Sequence, residues 1–185
     1  MDSRNLPSKE PATKIAGPYG HPFHPLLVTI PIGTWVASLI LDIASKASED
    51  PNPYVLASRW LIGIGIIGAV LAALFGLMDL ATIPRDTPAK RIGYTHMTIN
   101  LLVTAAFIVS WFLRGDGGID GDGSTSTELL ILSIVALAVL AVSGWLGGMM
   151  TYRYGVRVAR ESDQVDGYQD ARTNAPGRPN QRRAA

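Results

Sequence analysis

Cysteine is absent from the 185-residue chain, and histidine occurs only three times. The lack of thiols excludes disulfides, thiolate zinc sites, cysteine-held iron–sulfur clusters and a cysteine nucleophile. Any metal or cofactor ligand must therefore come from His, Met, Asp, Glu, Tyr or Asn side chains.

Charged residues are also scarce, at 17% of the chain against 48% apolar residues. The mean hydropathy of +0.22 is too high for an ordinary soluble domain of this size. The first twenty residues are charged and proline-rich, and they lack the apolar segment of a cleavable signal peptide. These properties direct attention to membrane-spanning segments.

Recognisable catalytic motifs are lacking as well. The sequence therefore does not decide whether the protein is an enzyme. The sequence has no phosphate-binding loop and no Ser–His–acid set at a known spacing. Residues 63–68 match GxGxxG, but they lie inside an apolar segment with no strand before it, and we interpret them as helix packing. The basic residues flank apolar segments, which favours contact with lipid and gives no indication of nucleic-acid binding.

Four apolar segments of about 20 residues each predict transmembrane helices, because that length crosses a hydrocarbon core of about 30 Å. They cover residues 24–44, 57–80, 94–113 and 128–151. A soluble protein of this size would have too little polar chain to cover four such helices. We therefore predict an all-α, integral membrane four-helix bundle over residues 21–158.

The flanking segments are polar. Residues 1–20 are predicted to be a mobile N-terminal tail, and residues 159–185 a disordered C-terminal tail. Basic residues near the spans are concentrated on the side that the two termini share: Lys9, Lys14, Arg85, Lys90, Arg91, Arg153, Arg157 and Arg160. This bias predicts that both termini are cytoplasmic and that the protein is a multi-pass protein of the inner (cytoplasmic) membrane.

This topology brings the three histidines to the same end of the bundle. His21 and His24 open the first span, His96 opens the third, and Asp79 closes the second. Asn100 follows His96 by one turn on the same helix face. Because exposing polar groups to lipid is costly, these side chains should face the bundle interior.

Two ligand sets follow from this convergence. The first is a b-type haem with His24 and His96 as axial ligands, and with Asn100 and Arg153 as further cofactor-binding residues. The second, less favoured, is a divalent metal ion held by His21, His24, His96 and Asp79. A third interpretation needs no ligand, because the same groups could cap helix ends and bond across helices.

Three functional hypotheses remain open on these grounds. One is a redox-associated membrane protein with a haem or metal site between the first and third spans. Another is a non-enzymatic accessory or structural subunit, which packs through glycine-rich faces on other membrane or redox proteins or on a second copy of itself. The last is a small transporter or proton-relay element that uses His24, Asp79 and His96.

Several motifs resemble a bacterial four-span inner-membrane family known only as a domain of unknown function. They are the paired His-Pro opening at residues 21–25, Ile-Pro-Ile-Gly at 30–33, His96 with Asn100, Gly-Trp-Leu-Gly-Gly at 144–148 and Tyr-Arg-Tyr-Gly-Val at 152–156. The resemblance covers about residues 20 to 158. It implies four helices and an inner-membrane location, without an established activity. Some members of that family are joined to a Rieske-type domain, which implies a link to electron transfer.

Overall fold

A computed structural model describes residues 6–115 and 120–168, and this part of the chain is helical without any strand. Its α-helices are α1 Phe23–Leu27, α2 Thr29–Ala47, α3 Asn52–Thr82, α4 Pro88–Leu113, α5 Thr127–Gly148 and α6 Glu161–Asp166. A π-helical turn, Met149–Arg153, continues α5. The predicted all-α class is confirmed.

Four helical segments are long and apolar enough to cross a membrane, as the sequence predicts. The first span, Phe23–Ala47, contains α1 and α2, and the second, Asn52–Thr82, is α3. The third, Pro88–Leu113, is α4, and the fourth, Thr127–Arg153, is α5 with its π-helical turn. Each is longer than its predicted apolar segment because the helices continue into polar flanks. The first and second spans form one hairpin, and the third and fourth form another.

Local sequence explains where the helices begin and break. Pro31 has no N–H to donate to Leu27, and the helix is interrupted at Val28, between α1 and α2. The side chains of Thr87 and Ser126 cap α4 and α5 by accepting hydrogen bonds from the backbone N–H groups of Lys90 and Leu129. These signals set short connections, so that neighbouring spans run antiparallel.

The middle of the bundle is an apolar layer. The rings of Trp35 and Phe107 stack at 4.2 Å between centroids with an interplanar angle of 13°. Ile62, Val103 and Ala136 complete this buried cluster. Large apolar side chains cover the outside of the bundle, where lipid replaces water as the solvent. The central layer separates a polar cluster at each end of the bundle.

One of these clusters is an ion pair between Asp42 and Arg114, whose side chains are both 0% exposed. The guanidinium donates to both carboxylate oxygens at 2.7 Å. Ser58 and Thr125 donate further hydrogen bonds to Asp42 Oδ1 at 2.6 and 3.0 Å. Two charges can be buried here because nearly all of their hydrogen-bonding capacity is used. We refer to this end as the Asp42 end, and to the opposite one as the histidine end.

The N-terminal segment, predicted to be mobile, packs on the chain that follows the fourth span. The Arg157 N–H donates to the Ser8 carbonyl at 2.8 Å, and its guanidinium donates to the carbonyls of Ala16 and Gly17 at 3.1 Å. Lys9 is buried and pairs with Glu161 at 3.1 Å. Segments this far apart in sequence cannot be paired from composition. Residues 1–5 and 169–185, included in the predicted tails, lie outside the described residues.

Part of the predicted C-terminal tail is also structured, since α6 occupies Glu161–Asp166. The Tyr19 hydroxyl donates to Asp163 at 2.5 Å and accepts from the Arg160 N–H at 2.6 Å. Desolvation, followed by the hydrogen bond to Asp163, raises the pKa of Tyr19 above its usual value. The described parts of the two tails therefore form one small polar assembly next to the histidine end.

We expect Asp42→Ala to lower the free energy of unfolding by about 3–5 kcal/mol, because it leaves the buried Arg114 charge without its partner. Denaturation of the purified protein in mixed detergent micelles measures this loss. Lys46→Ala is the control, since it removes a more exposed ion pair with Asp120 and should cost at most about 1 kcal/mol. Equal losses in the two variants would contradict this account of the Asp42 end.

Candidate functional site

His24 and His96 lie side by side at the histidine end. Their ring centroids are 6.4 Å apart, and the ring planes are nearly perpendicular at 83°. His24 comes from α1 in the first span and His96 from α4 in the third, and both are partly buried. The predicted convergence of these two histidines is therefore present in the structure.

A backbone carbonyl of the neighbouring span holds each imidazole. His24 Nδ1 is 2.8 Å from the Ala72 oxygen, and His96 Nδ1 is 2.9 Å from the Ser143 oxygen. Since a carbonyl only accepts hydrogen bonds, Nδ1 carries the proton in both rings. Each Nε2 is then left with a lone pair that can accept a hydrogen bond or bind a metal.

The two Nε2 atoms have different surroundings. Asn100 Nδ2 is 3.1 Å from His96 Nε2, 2.8 Å from the His96 carbonyl oxygen and 2.7 Å from Ser143 Oγ. Its amide has two hydrogens, so these three acceptors compete for them. Within the described part of the chain, His24 Nε2 has no hydrogen-bond partner. The site is therefore asymmetric, with one open imidazole nitrogen and one that is already bonded.

Two glycines allow the rings to approach the neighbouring helices. A methyl group on Gly76 would lie 2.9 Å from Cε1 and Nδ1 of His24, and one on Gly147 would lie 3.2 Å from Cε1 of His96. Both distances are shorter than ordinary van der Waals contact, so a larger residue would displace the imidazoles. The small-residue faces seen in the sequence thus support the ring positions.

Ser143 is the site residue that sequence reasoning did not assign. It is fully buried and offers both its carbonyl and its hydroxyl to the site. Its place on the small-residue face of the fourth span was visible in the sequence. Its contact with His96 was not visible in the sequence, because any residue type can supply a backbone carbonyl as the acceptor.

The remaining predicted residues lie elsewhere. His21 is exposed, with Nδ1 3.4 Å from the Tyr19 carbonyl. Asp79 pairs with Arg157, whose Nε is 2.9 Å from Oδ1. Arg153 is exposed, and its guanidinium lies 5.7 Å from the ring centroid of Tyr154. Across residues 6–115 and 120–168 no three His, Asp or Glu side chains are grouped to hold a metal ion, so the predicted four-ligand set is not assembled.

The fold and the paired histidines define a multi-pass membrane protein with a polar site inside one end of a four-helix bundle. Residues 20–160 match the model of the family described as Predicted membrane protein (DUF2231), and the chain belongs to that family. This agrees with the resemblance to a four-span family of unknown function. No curated protein and no solved structure matches the chain.

We expect ¹⁵N NMR of the histidine side chains to find the Nδ1–H tautomer for both His24 and His96, because carbonyl oxygens face both Nδ1 atoms. The exposed His21 serves as the reference, since its ring is open to solvent and its Nδ1 makes only a long contact, 3.4 Å, with the Tyr19 carbonyl. Substitution of His24 or His96 by Gln assigns the signals. An Nε2–H tautomer at either position would contradict the hydrogen bonding described above.

Proposed function

We propose that this protein is a redox-associated membrane protein whose His24 and His96 are the axial ligands of a b-type haem. The observation that carries the proposal is the 6.4 Å separation of the two ring centroids. A metal–nitrogen bond of about 2 Å and a ring radius of about 1 Å put each centroid about 3 Å from a shared metal. The observed separation is of the order at which His24 and His96 would both hold one haem iron.

The hydrogen bonds from Nδ1 support the same assignment. Metal-bound histidines commonly donate their second ring nitrogen to a carbonyl or a carboxylate, which orients the ring and increases its basicity. Both His24 and His96 have this arrangement before any ligand is considered. A haem held in this way would supply one-electron redox chemistry.

The fit has one local requirement. His24 and His96 meet only through an edge-to-face ring contact, and they come from different hairpins. Asn100, however, must release His96 Nε2 before that nitrogen can bind a metal. Its other two partners, the His96 carbonyl and Ser143 Oγ, remain available to it.

Orientation and partner form part of the proposal. The basic residues near the spans favour cytoplasmic termini, so the histidine end would lie near the cytoplasmic side of the inner membrane. Arg153, exposed at the end of the fourth span, is available to a haem propionate or to an acidic partner surface. An electron-transfer protein is the class of partner that this site would serve.

The apolar layer between the two polar clusters makes a proton relay less favourable. Trp35, Phe107 and Ile62 occupy the bundle interior between the histidine end and the Asp42–Arg114 pair. Charges and protons do not cross such a layer readily without water or polar side chains. We therefore place the transport hypothesis behind the haem hypothesis.

The test is the visible absorption spectrum of the detergent-purified protein, oxidised and reduced by dithionite, with haem quantified per chain. We expect a strong Soret band and sharp α and β bands on reduction, as for a low-spin haem with two nitrogen ligands. His24→Ala and His96→Ala should each abolish the low-spin spectrum. His21→Ala is the matched control and should leave it unchanged, because His21 is exposed and outside the pair.

A featureless spectrum after expression with adequate haem supply would overturn the proposal. The accessory-subunit and transport hypotheses would then be separated by co-purification and by flux into vesicles. A haem that survives both alanine substitutions would overturn the ligand assignment alone.

A further inference from the structure

The two hairpins repeat the same pattern of residues. His24 and His96 are 72 positions apart, and at that same offset Trp35 corresponds to Phe107 and Asp42 to Arg114. Every one of these corresponding pairs is in contact: the imidazoles, the stacked rings and the buried ion pair. Contact between corresponding residues at three depths is expected when two similar units meet across an approximate twofold axis.

The second and fourth spans continue the correspondence at an offset of 71. The carbonyls that hold the imidazoles belong to Ala72 and Ser143, and the glycines against the rings are Gly76 and Gly147. Buried positions correspond as well. In the first and third spans, at the offset of 72, they are Pro31 and Val103, and Ser38 and Ser110. In the second and fourth spans, at the offset of 71, they are Ser58 and Leu129, Ile62 and Ser133, and Gly65 and Ala136. The bundle therefore has two parallel copies of one hairpin, related by an axis along the spans.

The symmetry of the histidine end breaks at one position. The residue four places after His96 is Asn100, and the residue four places after His24 is Val28. The Asn100 amide reaches His96 Nε2, whereas a valine has no donor to offer His24. Two imidazoles that are equivalent in position thus differ in their availability to a ligand.

We infer that Asn100 is a positioning residue that makes the two histidines bind in order, with His24 the first haem ligand and His96 the second. This inference rests on the haem site proposed above. His24 Nε2 needs to break no hydrogen bond within the described chain, while His96 Nε2 lies 3.1 Å from the Asn100 amide, which competes with a ligand for its lone pair. Asn100 thereby weakens the His96 bond relative to the His24 bond, so His96 is the ligand that an external molecule displaces.

The repeat itself supplies the test substitutions. Asn100→Val gives the second hairpin the residue of the first and removes the competing donor. Val28→Asn gives the first hairpin the residue of the second and adds a donor near His24. Both keep similar side-chain volumes on the same helix faces, so the pair tests the hydrogen bond with little change in packing.

Carbon monoxide affinity of the reduced, haem-loaded full-length protein is the first readout, because this ligand binds where a histidine leaves. We expect Asn100→Val to weaken carbon monoxide binding by about 2- to 10-fold, the effect of one neutral hydrogen bond, and Val28→Asn to strengthen it by a similar factor. Unchanged affinity in Asn100→Val would overturn the inference. A general loss of packing would not move the two variants in opposite directions.

The second readout needs no haem. Diethyl pyrocarbonate acylates the unprotonated nitrogen of an imidazole, and peptide mass spectrometry gives the rate for each histidine. In the haem-free protein we expect His24 to react faster than His96 by about 2- to 10-fold, and Asn100→Val to bring the two rates together. The exposed His21 is the internal reference for reagent concentration.

The two readouts separate the possible failures. In one case the wild-type protein binds haem, and both variants are identical to it in carbon monoxide affinity and in acylation. That result would overturn the role of Asn100 and leave the haem site intact. In the other case the protein never binds haem but shows the expected acylation pattern. That result would overturn both the haem proposal and the ordered ligation, and would support only the interaction between Asn100 and His96.

Discussion

The absence of water from the hydrocarbon core is the constraint on which this structure depends. Inside the bilayer every polar group must find its partner within the chain, since lipid offers none. The chain meets most of this requirement by gathering its buried charges and histidines at the two ends of the bundle interior, while Ser133 Oγ is buried without a hydrogen-bond partner in the described chain. Asp42 and Arg114 neutralise each other at one end, and backbone carbonyls hold His24 and His96 at the other. An apolar layer around Trp35 keeps the two clusters apart.

Duplication of a hairpin explains why the two ends can be organised by so few residues. In a twofold arrangement, a residue of one hairpin contacts the residue at the corresponding position of the other hairpin across the axis. Each interior position of the hairpin therefore contributes two residues to the same contact. Opposite charges at positions 42 and 114 turn a like-with-like encounter into an ion pair. Asn100 opposite Val28 makes a similar change at the histidine end, where it distinguishes two otherwise equivalent imidazoles.

The chain outside the spans also has a structural role. Arg157 connects the second span, through Asp79, with the carbonyls of the N-terminal segment, and its own N–H binds the Ser8 carbonyl. Arg157 is thus engaged both by Asp79 and by the N-terminal segment, and Asp79 lies in an ion pair outside the His24–His96 pair. The described parts of the two flanking segments thus pack together next to Asp79, at the end of the second span.

The sequence by itself determined the four spans, the helical class, and the meeting of His24 and His96 at one end, because span length, apolar composition and alternating topology follow from the bilayer. Only the tertiary structure decided the partners: Asp79 with Arg157, His96 with Asn100 and the Ser143 carbonyl, and a docked N-terminal segment where a mobile tail was predicted. The physical reason is that these contacts join residues far apart in sequence or use backbone acceptors. Neither leaves a local pattern of composition or spacing from which the contact could be predicted.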